Sequence, residues 1–402
     1  MSIAPSWTEL YEDLHKHPEL SFEEQRTAGI VADSLRSAGF EVETEVGRTG
    51  VVGVIRNGDG PTVLLRADMD ALPVTEATGL PYASTVDGVA HACGHDVHVT
   101  CLLAACAELS ATRDTWAGTL LAVFQPAEEL GDGARAMIQD GLYERHGTPV
   151  VVLGQHVAPM PAGTIGVHVG PAFAAADSLA VTIHGKGGHG SMPHTTVDPV
   201  VLAASTVLKL QTVVSRESAP AETAVVTIGR LEAGTKANII PDTALLHVNV
   251  RSYKAEVRDR VLGSIRRIVE GEAATAGAPK PPEIDHYEQV DAVVNDADAC
   301  VATKPALESA GALVLDPGPV SGSEDVGLFA TEAGCPCVYW LLGGADPALF
   351  EGLTTIQEFV DRVATIPSNH SPEYAPVQEP TLEIGANALV AAARHWLPVG
   401  RG

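Results

Sequence analysis

Along the first 170 or so residues the spacing of apolar positions changes period again and again. In WTELYEDLHKHPEL and EEQRTAGIVADSLRSAG they recur every three or four residues, the spacing of one helix face, and the second stretch ends at Gly39, a natural helix C-cap. VVGVIR, TVLLRADMD, GTLLAVFQPAEE and PVVVLGQHV are instead short, apolar and rich in β-branched residues, as buried strands are. Helix and strand in alternation predict an α/β layer: a mixed, largely parallel sheet flanked by helices. Chemistry in such sheets gathers in the loops beyond the carboxyl ends of the strands. RADMD, PAEE and GQHV fall at those ends.

From about residue 177 the texture changes. DSLAVTIHGKGGHG reads as an alternating strand entering a glycine loop, and DPVVLAASTVLKLQTVVSR as a helix. TAVVTIGRLEAGT and TALLHVNVRSY alternate again, and EVRDRVLGSIRRIVEGEAATAG is a second amphipathic helix. The order is that of a compact α+β insert, βαββαβ-like. After the proline-rich GAPKPPEID, helix and strand alternation resumes. The expected organisation is a discontinuous first domain, 1–176 and 289–402, carrying an inserted second domain, 177–288. Two domains also suit 402 residues, which exceed one ordinary core.

Charge narrows the partners. Lys plus Arg number 25 against 51 Asp plus Glu, a net charge of -26, so a phosphate backbone or an anionic membrane meets a repulsive field. No stretch approaches the ~20 apolar residues of a membrane helix, and the start carries acidic residues where a secretory signal has a basic end and an apolar run. The expectation is a cytoplasmic protein that binds neither nucleic acid nor membrane. Its 6 cysteines in so long a chain are no disulfide framework; most read as small buried apolar residues.

Cys93 differs because of its neighbours. HACGHDVHV packs three histidines, a cysteine and an aspartate into residues 91–99. Cys93 and His95 flank a glycine and can turn toward one point. Glu128 and Glu129 follow a strand that ends at a proline, His156 follows VVVLG, and His370 lies in the proline-flanked IPSNHSPEY. Hydrolytic centres often hold two ions through His, Cys and carboxylate donors with one ligand shared. Cys93, His95, Glu129, His156 and His370 suit such a pair, with the Cys93 thiolate as the bridge. Taken singly, each has a blander reading: a hydrogen-bonded histidine, a core cysteine, or a carboxylate pair at a helix start. Their shared position after strands of one domain weighs against that. His91, His15 and His17 are read as structural, and His98 as facing the helix packing, with Asp96 and His98 supporting the ligands.

HKHPELSFEE, RADMDALP, HACGHDVH, QPAEE, GKGGHGSMPH, NIIPD, SGSEDV and NHSPEY, in this order across nearly the whole chain, resemble the M20 metallopeptidases. The similarity is to the amidohydrolase branch of hippurate, N-acyl-amino-acid and auxin-conjugate hydrolases, to which a cysteine at position 93 points. The resemblance implies a catalytic domain, an inserted lid that also dimerises, and two divalent ions (zinc, manganese, nickel or cobalt) held by Cys93, His95, Glu129, His156 and His370. It implies Glu128 as general base and acid, activating water and protonating the leaving amine. It further implies that His189 reaches the partner subunit's active site to hold the oxyanion, and that Asn238 and Arg251, on neighbouring lid strands, bind the substrate carboxylate. The loop around Glu324 frames the acyl pocket or is a plain turn.

The expected activity is cleavage of N-acyl or N-aroyl amino acids by a homodimer or homotetramer. Two rivals stand beside it. A dipeptidase or aminopeptidase would need a pocket for a free amine, and no residues for one stand out. A catalytically silent metal-containing binding protein would be expected to lack Glu128.

Overall fold

The computed structural model describes residues 5–398. They divide into two compact units: one runs to Ala172 and resumes with Val293–Gly318 and from Asp325 onward, and the other comprises Phe173–Ala292 and Pro319–Glu324.

The first unit is built on an 8-stranded sheet, ordered Glu41–Val46, Gly50–Asn57, Gly118–Gln125, Thr62–Asp68, Val151–Pro161, Cys337–Ala345, Thr164–Gly166, Leu313–Leu315. Its four central strands, from Gly118–Gln125 to Cys337–Ala345, run parallel; antiparallel partners lie to either side. The sheet is therefore mixed, with a parallel centre. Val63, Leu65, Ala67, Leu120, Ala122, Phe124, Val151 and Leu153 share one apolar cluster with the helices His95–Ala111 and Thr381–Trp396. The alternate residues Leu64, Leu121 and Val152 are buried as well, so both faces of the central strands are covered. That double burial is why these strands read as continuous apolar runs rather than alternating ones.

Parallel strands bring their carboxyl ends to one edge. Thr62–Asp68 and Gly118–Gln125 both stop there, while Val151–Pro161 runs on. Its pairing with Thr62–Asp68 ends at Arg66 opposite Gly154, leaving His156 beyond it, paired only on the other side with Leu341. The sequence suggested a strand ending before His156. The structure extends the strand through it, because Cys337–Ala345 supplies a hydrogen-bonding partner that sequence spacing cannot reveal.

The second unit is a 4-stranded antiparallel sheet, ordered Ala224–Ala233, Thr243–Ser252, Ala175–His184, Glu283–Val290, with the helices Pro199–Thr212 and Ala255–Thr275. The element order along the chain is βαββαβ. Val257, Val261, Ile265 and Ile268 recur at helical spacing and pack with Leu179, Val181, Leu246 and Val248. Asp198 caps the first helix, accepting the Val200 backbone N–H at 2.8 Å, with Pro199 at the first helical position. Among the described residues no helix is long and apolar enough to cross a membrane.

A buried ion cluster ties this unit together. Asp177, fully buried, accepts two hydrogen bonds of 2.7 Å from Arg258 and a third contact of 2.7 Å from His286. Truncating it leaves a mostly buried guanidinium without its bidentate partner. Asp177→Ala is expected to lose about 3–5 kcal/mol of folding free energy, whereas Arg230→Ala, which breaks an exposed pair with Glu232, loses no more than about 1 kcal/mol. Urea unfolding of both variants checks the contrast; equal losses would contradict it.

Candidate metal centre

The centre assembles at the carboxyl edge of the parallel strands. After Thr62–Asp68 the chain forms a loop closed by a bridge between Leu72 and Ala90, and re-enters the core as the helix His95–Ala111. Gly94 precedes that helix at φ 84°, and a Cβ there would lie 2.4 Å from Val157 Cγ1. Only glycine both takes that left-handed conformation freely and lets the Cys93 loop close onto the strand Val151–Pro161. From the C-terminal segment, the His370 N–H donates to the Ala92 carbonyl at 2.8 Å. The neighbouring Asn369 amide donates to the carbonyls of Cys93 (3.0 Å) and Val157 (3.1 Å), stitching together the three segments that carry Cys93, His156 and His370.

Five potential donors converge there. The donor atoms of Cys93, His95 and His156 all lie within 4.8 Å of one another, and so do those of Cys93, Glu129 and His370. Cys93 is common to both groups. Its sulfur is 3.5 Å from His156 Nε2; Glu129 Oε2 is 3.4 Å from His370 Nε2. Glu128 and Glu129 approach His95 Nε2 to 3.9 Å each. Two of these atoms, His95 Nε2 and Glu129 Oε1, are buried without a hydrogen-bond partner among the described residues. Burying such groups unsatisfied is costly, and a divalent cation is the partner that would satisfy both. A thiolate, imidazoles and a carboxylate are also the donors that zinc-like ions take, so the residues present fit a pair of such ions.

Behind the donors lies a layer of buried charge. Asp70 accepts the backbone N–H groups of Glu128 (3.1 Å) and Glu129 (3.0 Å) and the Ser21 hydroxyl (2.7 Å), and faces His95 Nδ1 at 3.3 Å. Arg66, fully buried, donates to Asp68 (2.6 Å), Gln125 (2.8 Å) and Asp325 (3.2 Å). Burial alone would raise the Asp68 carboxyl; Arg66, His95 and His98 override it and hold it well below the usual carboxylate range. Burial would also push the Cys93 thiol up, yet the adjacent His156 prevails and holds it at about 6. Hydrogen bonding to Cys93 and Glu129 lifts His370 to about 10. By contrast, burial drives the Cys101 and Cys106 thiols far up, as befits core cysteines.

Several expectations need adjusting. His98 does not simply face apolar packing: Nδ1 bonds Asp68 and Nε2 accepts the Val157 N–H at 2.8 Å, so it fixes the strand beside His156. Asp96 takes His15 as its partner at 2.6 Å rather than a ligand side chain, and His15 also meets Glu76. Burial would lower His15, but Asp96 and Glu76 raise it to about 10. His17 bonds the Asp13 carbonyl at 2.7 Å, and His91 is buried with both ring nitrogens lacking hydrogen-bond partners among the described residues. Sequence reasoning passed over Asp68, Asp70 and Asn369; two aspartates either side of Met69, at the end of a buried strand, were the available signal.

In the second unit, exposed His189 and Asn238 come together at a short two-stranded pairing, Gly188–His189 with Ile239–Ile240: Ile239 pairs with His189, and Gly190 donates to the Asn238 carbonyl at 2.8 Å. Arg251 was expected on a strand next to that of Asn238. It lies instead within Thr243–Ser252, opposite Ala176, while the Thr243 end of that strand meets the His189 loop. Asn238 belongs to no strand of the four-stranded sheet; it lies in the segment between Gly234 and Pro241 that separates two of its strands. The eight steps along the strand from Thr243 to Arg251 put the latter about 25 Å from that end at roughly 3.3 Å per residue. Glu324 is buried.

Residues 64–393 match peptidase family M20/M25/M40. An N-acetyl-L-cysteine deacetylase of Bacillus subtilis is 38% identical over 79% of this chain and 75% of its own length. A hippurate hydrolase of Campylobacter jejuni is 38% identical over 83% and 88%. Among solved structures, a dinuclear metal-binding peptidase of the M20 family from Bacillus subtilis superposes with a TM-score of 0.80 at 31% identity, covering 98% of both chains.

The electrostatics of the centre set its response to pH. Thiolate absorbance at 240 nm in the metal-free protein is expected to rise with a midpoint near pH 6 and to vanish in Cys93→Ala. Because the folded thiol lies below its ordinary value of ~8.5, this group stabilises the fold at high pH, and the contribution is lost as pH falls through about 6. Divalent-metal affinity is expected to fall over the same range, since protons compete for the same sulfur. A midpoint at the ordinary thiol value would contradict the assignment.

Proposed function

From the membership of this chain in peptidase family M20/M25/M40, as a metal-dependent hydrolase of its amidohydrolase branch, we propose that it cleaves the amide bond of N-acyl or N-aroyl amino acids to a carboxylic acid and a free amino acid. The observation that carries the reading is the pair of donor clusters that share Cys93, with Glu128 beside them. Cys93, His95, Glu129, His156 and His370 would hold two divalent ions, Cys93 being common to both donor groups. Such ions, when bound, would acidify a water molecule and polarise the scissile carbonyl.

Glu128 then takes the proton of the attacking water and passes it to the nitrogen of the leaving amine. The carboxylate is largely buried and, like Glu129, lies 3.9 Å from His95 Nε2, but it is Glu129 that faces His370, at 3.4 Å. A 3₁₀ turn such as Glu128–Leu130 rotates successive side chains by about 120°, so adjacent glutamates can serve one centre in different ways. His156 is oriented by the 2.8 Å contact of Nδ1 with the Val157 carbonyl, which directs Nε2 toward Cys93. The relatives' names, a deacetylase of N-acetyl-L-cysteine and a hippurate hydrolase, support a small acyl amino acid as substrate.

His189 and Asn238 are exposed at one end of the second unit and Arg251 lies near the other, too far for one small substrate to touch all three within one copy. This supports a shared site in a dimer, in which His189 holds the oxyanion in the partner's centre. Arg251 and Asn238, contributed by different copies, would then both be able to reach the substrate carboxylate.

Two tests follow from these roles. Glu128→Gln is expected to lower kcat by about 10² to 10⁴ with metal content and KM largely kept, whereas Glu129→Gln loses metal and recovers in part at excess metal. Assays on N-acetyl and N-benzoyl amino acids, with metal analysis, check this; exchanged phenotypes would sink the assignment. Subunits of His189→Ala mixed with subunits of Glu128→Gln are expected to regain activity, since one hybrid site then has both groups. No recovery after demonstrated subunit exchange would place His189 within its own chain's site or outside catalysis.

A further inference from the structure

One fully buried carboxylate lies outside the ligand set and yet is bonded to the turn that carries it. Glu24, just before the helix Gln25–Ser37, has no exposed surface. Its Oε1 accepts the backbone N–H of Phe22 and that of Ala127, both at 2.9 Å, and its Oε2 bonds the Thr49 hydroxyl. Both backbone donors belong to non-glycine residues in the left-handed region, Phe22 at φ 64° and Ala127 at φ 49°. Such conformations persist only where the surroundings over-determine them, and they cluster at functional sites.

Ala127 is the residue immediately before Glu128. Its N–H goes to Glu24, and the next two N–H groups, of Glu128 and Glu129, go to Asp70. Three successive backbone donors are thus taken by two buried side-chain carboxylates. No strand partner fixes the path of the chain at this point, because Gly118–Gln125 has already ended. The tightness of the turn is visible from its other side as well: a Cβ on Gly133 would fall 1.6 Å from the Pro126 carbonyl oxygen.

We propose that Glu24 is a positioning residue for the hydrolytic reaction: by holding Ala127 in its left-handed conformation, it sets the directions in which Glu128 and Glu129 leave the turn. The proposal rests on the reading of Glu128 as base and Glu129 as ligand. The hydrogen bonds of Glu24 go to Phe22, Ala127 and Thr49 and to none of the candidate metal donors, so it acts through the backbone. Displacement of a general base by even about 1 Å costs heavily in rate, so a loosened Ala127 shows first in kcat. The chemistry of the contacts also predicts which replacement is tolerated. Glutamine keeps an oxygen for the two N–H groups, and its amide can donate to the Thr49 hydroxyl, which reverses its role. Alanine abandons all three donors.

The test compares Glu24→Ala, Glu24→Gln, Glu128→Gln and the unaltered protein, all loaded with saturating divalent metal and assayed on an N-acetyl amino acid. Glu24→Ala is expected to lose roughly 10- to 100-fold in kcat, the usual cost of removing an outer-layer partner, with KM little changed, while Glu24→Gln recovers most of that loss. Metal content and thermal unfolding of each variant separate this from simple loss of fold. A kcat that is unchanged in folded Glu24→Ala, or that falls only in proportion to the fraction unfolded, overturns the positioning role. Equal losses in the Ala and Gln variants overturn it too. Should Glu24→Ala not fold, Thr49→Val, which frees Oε2, carries the test: a several-fold fall in kcat supports the role and a normal kcat overturns it. Glu128→Gln run in parallel keeps the two claims apart, since normal activity there removes the base assignment whatever Glu24 does.

Discussion

The Asp70 carboxylate is the constraint on which the centre depends. It is fully buried, and a carboxylate taken out of water is tolerable only if its lone pairs are filled. They are filled from three distant stretches of chain: the Ser21 hydroxyl, the His95 ring, and the N–H groups of Glu128 and Glu129. Burial would raise its pKa, and these donors, His95 foremost, bring it below the usual value instead. Satisfying one buried anion thus brings a candidate ligand, a candidate base and the loop after the first helix into fixed relation.

Electrostatic balance explains the layer beneath. Asp68 and Asp325 add two more buried carboxylates, and the buried guanidinium of Arg66 is bonded to both. Gln125 joins in from the next strand, bonding Arg66 and Asp325 together. Replacement of Arg66 by lysine would supply the charge but not the fork that reaches Asp68, Gln125 and Asp325 at once. This network occupies the last residues of two parallel strands, so the sheet does more than support the centre; the strand ends themselves are its charge-balancing floor.

How much of this was legible in the sequence follows from what each feature depends on. The alternation of strand and helix is local, and it gave the mixed α/β unit and the βαββαβ insert. The candidate donors could be picked out because Cys93, His95, Glu128, Glu129, His156 and His370 all sit near the ends of recognisable strands or in short polar loops. The structure brings all six together. What stayed hidden depends on contacts between distant segments. His98 looked apolar in surroundings because its helix is buried on every side, and its partner Asp68 lies 30 residues away. Asn238 and Arg251 were placed on adjacent strands from their spacing alone, but a loop and a ten-residue strand separate them in opposite directions.

The same network shows how protons and cations trade places at the centre. Cys93 and Asp68 are held as anions, while His95 and His370 are held protonated by the anions around them, His95 well above its usual value. The positive charge that these donors require is thus supplied by imidazole protons when no stronger cation is present. A divalent ion held by these candidate donors would have to expel those protons, one form of positive charge then replacing another. A layer of buried carboxylates this dense would be unstable around neutral ligands. It is well suited to a centre in which the cation changes identity and the anions stay where the backbone puts them.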